Sequence, residues 1–235
     1  MICLSPEDLI SLGSVEPFAG VTLSHHALAA SASSAGGDWA EAFAVSEREL
    51  AISIGDVCGH DAAASKIMFE LRDEIRTAAN LSPDPARVMR TVNDAFYRRL
   101  ESTYATSIFG LLDVGRRSLV FASAGHPPPF MMARRRARFL GPPVNDPPLG
   151  IMPALEVTLH RVPIFAGALL VFYTDGIAEF DRDWVLGETS LHRAVRAAYR
   201  SPAATSASII AAQLARITPR NDDASILTLR MARSA

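Results

Sequence analysis

Four aspartates in this chain stand where strands give way to turns: Asp38 in Gly-Gly-Asp-Trp, Asp56 in Ile-Gly-Asp-Val-Cys-Gly-His, Asp175 in Tyr-Thr-Asp-Gly and Asp222 in Asn-Asp-Asp-Ala-Ser. Apolar runs such as Leu169-Leu170-Val171-Phe172 and Ile226-Leu227 adjoin them, so the carboxylates are expected to emerge from a buried scaffold. Carboxylates converging on one cleft repel one another and are driven to protonate unless cations hold them together. An oxygen-only donor set favours Mg²⁺ or Mn²⁺, and a pair of such ions suits hydrolysis of a phosphate ester. Each acid taken alone is also an ordinary turn former.

The elements that must position these acids follow from periodicity. Val21 to Ser31 has strand character, and Ala42 to Ile54 reads as two strands joined at Ser46-Glu47-Arg48-Glu49, a hairpin connecting Asp38 to Asp56. Asp61 to Ala79 carries Ala64, Ile67, Met68, Leu71 and Ile75 at helical spacing, and Pro85 to Leu100 repeats the pattern. A second hairpin runs from Thr106 to Ala122 through Gly115-Arg116-Arg117-Ser118 and leads into Ser123-Ala124-Gly125-His126. Short strands are expected at Phe130 to Met132, Ala137 to Leu140, Val157 to Val162 and Ala168 to Tyr173, the last delivering Asp175. Helices at Thr189 to Tyr199 and Ala203 to Ile217 precede a final strand at Ser225 to Arg230. Hairpins imply antiparallel sheets, and paired helices need sheet faces to cover. The expected class is therefore α+β, two stacked and mainly antiparallel sheets flanked by helices. Residues 1–20 read as a short N-terminal extension and 21–235 as one domain.

The balance of the composition narrows the partners. The chain has 235 residues, 49% of them hydrophobic, which suits one folded domain. A net charge of -2 gives no electrostatic reason to expect nucleic acid or an anionic membrane surface. The one dense basic run, Arg134-Arg135-Arg136, reads as a solvated turn between strands. Cys3 and Cys58 make neither a disulfide framework nor a zinc site. Glu7 and Asp8 follow the first residues at once, without a basic leader, and no apolar run is long enough to span a bilayer, so a cytoplasmic location is expected.

Together the segments resemble the bacterial metal-dependent serine phosphatases of the sporulation stage II E class, relatives of eukaryotic protein phosphatase 2C. The motifs are Gly-Gly-Asp-Trp at 36–39, Gly-Asp-Val-Cys-Gly-His at 55–60, Ala-Gly-His-Pro-Pro at 124–128, Pro-Leu-Gly at 148–150, Tyr-Thr-Asp-Gly at 173–176 and Asp-Asp-Ala-Ser at 222–225. The resemblance implies the αββα sandwich of protein phosphatase 2C and two Mn²⁺ or Mg²⁺ ions that activate water. By the same resemblance Asp56 would bridge the ions, the Val57 carbonyl would join one, Asp175 and Asp222 would complete the shell of the second, and Asp38 would lie beside the first. Asp223 is left as a neighbour of the site, and Glu41 as a supporting acid where the family commonly has aspartate. His60, and more weakly His126, invite a general-acid role. His25, His26, His160 and His192, with no motif around them, read as surface or packing residues, and Trp39 as a packing residue.

The substrate implied is a phosphoserine on an anti-sigma-factor antagonist in a partner-switching pathway, with regulation by a separate subunit. Two other classes compete. A catalytically silent phosphoprotein-binding module of the same fold draws its one support from Asp61, which places a charge beside the proposed ions where the family usually has a small residue. A diguanylate cyclase, suggested by Gly-Gly-Asp, is opposed by Trp39 where that signature carries an acid.

Overall fold

The computed structural model describes residues 18–28, 36–59, 61–99, 103–134, 136–142, 146–177, 184–202, 206–215 and 223–233. Two five-stranded sheets stack face to face, every strand pair antiparallel. The first sheet contains β2 (Asp38–Ala44), β3 (Glu49–Val57), β4 (Ala105–Asp113), β5 (Ser118–Ala124) and β8 (His160–Pro163), in that spatial order. The second runs β1 (Val21–Leu28), β10 (Ala224–Met231), β9 (Leu169–Tyr173), β6 (Phe130–Ala133), β7 (Arg136–Phe139). Helices α1 (Ala62–Leu81) and α2 (Pro85–Arg99) cover the outer face of the first sheet, and α3 (Trp184–Tyr199) and α4 (Ser206–Leu214) that of the second.

Strand alternation distributes the side chains over three apolar layers. On β2 and β3, Trp39, Phe43, Ala51 and Val57 pack under α1 and α2, whereas Ala40, Ala42, Leu50, Ile52 and Ile54 enter the layer between the sheets. On β9, Leu170 and Phe172 join that middle layer while Leu169, Val171 and Tyr173 meet α3 and α4. Strands buried on both faces are therefore near-continuously apolar, and β9 is buried at all five positions.

The expected hairpins and helices form within a few residues of their predicted ends. The strand expected from Val157 is shorter, β8 beginning only at His160, because Asp146 accepts from the Thr158 backbone and ties that stretch to a loop. Pro127-Pro128-Pro129 carries no ladder, since proline cannot donate to one, yet β6 immediately after it is an inner strand. Most of the expected N-terminal extension, residues 1–17, lies outside the described residues.

Candidate metal centre

One end of the middle layer is polar. Asp38 and Asp56 are direct cross-strand partners on β2 and β3, in alternation with Ala40 and Ile54, so both continue the face that looks at the second sheet. From that sheet Thr174 and Ser225 continue the inward faces of β9 and β10. The Ser225 N–H donates to Thr174 Oγ1 at 2.9 Å, and Thr174 Oγ1 donates to Asp38 Oδ2 at 2.7 Å. This two-bond relay crosses from one sheet to the other and fixes the Asp38 carboxylate, which is 8% exposed. Hydrogen bonds in such a chain polarise one another toward the charged acceptor.

Close backbone approach brings the remaining segments in. A Cβ on Gly37 would collide with the Val57 carbonyl oxygen and stand 2.9 Å from Asp56 Oδ1. A Cβ on Gly36 would collide with the Asp223 carboxylate, and one on Gly176 with the Asp223 carbonyl. Glycine at these positions is therefore a requirement of contact between four chain segments. Asp56, Asp175 and Asp223 are half-buried around the deeper Asp38. Burial first, then repulsion from Asp56, Asp175 and Asp223, pushes the Asp38 carboxyl well above its ordinary value, against the lowering effect of the Thr174 bond.

Among the described residues, no three His, Cys, Asp or Glu side chains stand close enough to hold an ion on their own. Asp222, expected in the shell of the second ion, and His60 lie outside the described residues. The donor chemistry nevertheless fits a divalent cation: carboxylates and a backbone carbonyl, all oxygen, with Asp56, Asp175 and Asp223 all repelling the charge of Asp38. Asp38, Asp56, the Val57 carbonyl and Asp175 lie at this same end of the middle layer, with Asp223 beside them.

Other expectations change. His126 is fully buried and joins the sheets. Its Nε2 lies 3.1 Å from the Tyr173 carbonyl, an acceptor only, so Nε2 carries the proton and donates. Nδ1 is then the acceptor from Thr106 Oγ1 at 2.8 Å. Burial holds its pKa down, to about 3, so the ring is neutral and cannot serve as the acid. Thr106 pairs with Asp56 across β3 and β4, and Tyr173 precedes Thr174, which makes His126 a strut directly behind the carboxylate cluster.

Glu41 is not a supporting acid of the centre. Alternation turns it to the helix side, where Oε2 accepts from Arg76 Nε and Nη2, both at 2.8 Å, with Arg72 at 3.9 Å. Arg76 is 35% exposed and Arg72 remains nearby, so Arg76→Ala is expected to destabilise the fold by about 2 kcal/mol, below the cost of stranding a fully isolated buried charge. Urea unfolding of Arg76→Ala beside Glu41→Gln/Arg76→Ala tests this. The double variant should recover part of the loss, since no charge is then stranded.

Asp61 does not reach into the site either. It caps α1, its Oδ1 accepting from the N–H groups of Ala63 and Ala64 at 3.0 and 2.9 Å. Trp39 packs as expected, buried and donating to Ser53 Oγ at 2.8 Å. The Pro-Leu-Gly motif is a latch: Asn93 of α2 accepts from the Gly150 N–H and donates to the Met152 carbonyl, both at 3.0 Å. His160 stacks on Phe121 and His192 packs edge-on against Phe130. The residues missed by sequence reasoning are Thr174 and Thr106. Each signals itself only through alternation, one step beyond an inward Phe172 or opposite Asp56.

An αββα sandwich with acids of both sheets gathered at one end is the protein phosphatase 2C-like fold. Residues 46–232 match the family model described as Stage II sporulation protein E, and the chain belongs to that family. It is 28% identical over 183 residues to Protein IcfG of Synechocystis sp., covering 63% of this chain and 28% of that one. To the phosphoserine phosphatase RsbP of Bacillus subtilis it is 24% identical over 148 residues, covering 61% of this chain and 36% of the relative. The chain thus spans well under half the length of these curated relatives. The crystal structure of the RsbU and RsbW domains of Rv1364c from Mycobacterium tuberculosis superposes with a TM-score of 0.84 at 26% identity, over 94% of this chain and 63% of that one. The phosphatase domain of SpoIIE from Bacillus subtilis gives 0.78 at 19%, over 90% and 63%. The catalytic domain of the serine threonine protein phosphatase PstP, solved with 2 manganese ions, gives 0.65 at 16%, over 90% and 99%. No helix among the described residues is long and apolar enough to cross a membrane.

Proposed function

We infer that this chain is a metal-dependent serine/threonine phosphoprotein phosphatase acting in the cytoplasm on a phosphoserine of an anti-sigma-factor antagonist, under control of a separate regulatory subunit. The observation that carries the reading is Asp38, a buried carboxylate clamped by Thr174 in the field of Asp56, Asp175 and Asp223. Such an arrangement is unfavourable in a fold that has no cation to place there. Two relatives named as phosphoserine phosphatases and a neighbour holding manganese support it.

Asp38, Asp56, the Val57 carbonyl, Asp175 and Asp222 are the groups assigned to hold two Mn²⁺ or Mg²⁺ ions. Bound there, the ions would offset phosphate charge and lower the pKa of a water molecule enough to make it a nucleophile near neutral pH. Thr174 keeps the Asp38 oxygen oriented, and His126 keeps the two sheets at fixed separation behind Asp56 and Tyr173. His60 is assigned to protonate the leaving serine oxygen. The capping role of Asp61 removes the feature that favoured a silent binding module.

Hydrolysis of a phosphoserine peptide, with Mn²⁺, with Mg²⁺ and with chelator, tests the assignment. Turnover is expected with either ion, none with chelator, and a loss of at least about a hundredfold in Asp56→Asn and Asp222→Asn. A folded protein inert with both ions would sink the reading.

A further inference from the structure

A groove of about 420 Å³ opens between the β6–β7 hairpin and α3, away from the carboxylate cluster. Its floor is Met132 and Ala137, and its wall is Thr189, His192, Arg193 and Arg196. His192 sits edge-on against Phe130 with ring centroids 4.6 Å apart, so this wall is held in place by packing. Arg193 and Arg196 are exposed, three residues apart on one helix. Arg136 and Arg138, also exposed, alternate to the other side of β7, away from the groove.

Exposed arginines without an ion pair occur on both outer faces: along α1 and α2, Arg99 pairs with Glu74 at 2.7 Å and Arg76 with Glu41 at 2.8 Å, whereas Arg87, Arg90 and Arg98 pair with no acid among the described residues. What sets Arg193 and Arg196 apart is that they wall a groove, and neither makes an ion pair among the described residues. Arginine on an edge strand such as β7 serves to discourage edge pairing. That reason does not extend to Arg193 and Arg196, which lie on a helix.

We propose that this groove docks an acidic segment of the phosphoprotein substrate while its phosphoserine occupies the carboxylate end. The proposal rests on the phosphatase reading above. Ala137 pairs with Met132 and Met132 with Leu169, four residues before the end of β9, which puts the groove roughly 13–20 Å along the sheet from Asp175. A folded regulatory domain, or an extended linker of about six residues, spans that distance. With a chain net charge of -2 and only two arginines lining the groove, a protein surface is favoured over a nucleic acid backbone as the acidic occupant.

Two synthetic phosphoserine peptides provide the probe, identical except that a linker of about eight residues ends in a glutamate run in one and a glutamine run in the other. Expected in wild type at about 50 mM NaCl is a kcat/KM at least about tenfold higher for the glutamate peptide, carried by KM and lost at about 500 mM NaCl. Arg193→Glu/Arg196→Glu should abolish that preference, and Arg193→Gln/Arg196→Gln should reduce it. Both should leave hydrolysis of p-nitrophenyl phosphate and the thermal midpoint unchanged. Equal kcat/KM for the two peptides, or a preference that survives the double variants, overturns the docking. Failure of the phosphatase reading is seen separately, as inertness toward p-nitrophenyl phosphate. In that case fluorescence anisotropy with a labelled, unphosphorylated glutamate peptide still decides: binding to wild type and not to Arg193→Glu/Arg196→Glu upholds the groove, and no binding overturns it. Stronger binding of a single-stranded oligonucleotide than of the glutamate peptide would also overturn it.

Discussion

Asp38→Asn is expected to raise the thermal stability of the metal-free protein while abolishing its stabilisation by Mn²⁺. The carboxyl of Asp38 is buried and faces Asp56, Asp175 and Asp223, so its folded-state pKa lies above the unfolded value. For an acid shifted in that direction the protonated form is the one the fold prefers. Its contribution is fully present below the unfolded carboxyl range, near pH 4, and is lost as pH rises through the elevated folded value. At pH 8 the metal-free wild type therefore carries a penalty of about 1.4 kcal/mol for each pH unit between the two pKa values. Asparagine is neutral at every pH, keeps an oxygen to accept from Thr174 and removes that penalty. With about 2–4 °C of thermal midpoint per kcal/mol for a chain of this size, the rise is several degrees at pH 8 and vanishes near pH 4.

The same substitution withdraws an anionic donor. The midpoint increase expected of wild type with excess Mn²⁺ should shrink toward zero in the variant, in line with a loss of at least about tenfold in ion affinity. Differential scanning calorimetry with chelator and with Mn²⁺, at pH 4.5 and pH 8, reads both effects. A lower metal-free midpoint at pH 8 would show that the cluster is stabilised by something other than a cation.

His126→Leu should be the most damaging substitution outside the cluster. Leucine fills much of the same volume but removes the imidazole that joins the half-buried Thr106 hydroxyl to the Tyr173 carbonyl. Loss of these two hydrogen bonds at up to about 1.5 kcal/mol each gives a loss on the order of 3 kcal/mol, or a midpoint lower by roughly 6–12 °C. His126→Gln, which retains a donor, should lose about half as much. The histidine also leaves a signature in pH. Its folded pKa is depressed to about 3 from 6.5, so the stability it contributes is present above pH 6.5 and lost as pH falls between those values. His25, lowered to about 4 by burial and by His26, adds to the same acid limb. Between pH 6.5 and 4 the unfolding free energy of His126→Gln should fall less steeply than that of wild type, by up to about 1.4 kcal/mol per pH unit. Parallel curves from urea unfolding would place the titrating imidazole elsewhere.

Much of the architecture was legible locally. Two-residue alternation around Ser46-Glu47-Arg48-Glu49 located the hairpin that sets Asp38 against Asp56, and helical spacing located α1 and α2, because each signal lies within one element. The ordered motifs likewise marked which glycines and acids belong together. What no local pattern contains is the second partner of each polar group. Glu41 and Asp38 are acids three residues apart on one strand, and only the opposite faces of β2 send one under Arg76 and the other to Thr174. Asp56 and Asp61 are close in sequence, yet the first ends on β3 facing the second sheet and the other is consumed by the N–H groups of a helix start. His126 and His160 are both histidines beside apolar strands, and tertiary contact alone makes the first a buried strut between sheets and the second a stacking partner of Phe121. Composition and periodicity determine which elements form, since those depend on neighbours in sequence. The assignment of Glu41 and Asp38 to scaffold or to chemistry depends on groups remote in sequence, Arg76 for the first and Thr174 for the second, and is decided only when helix and sheets meet.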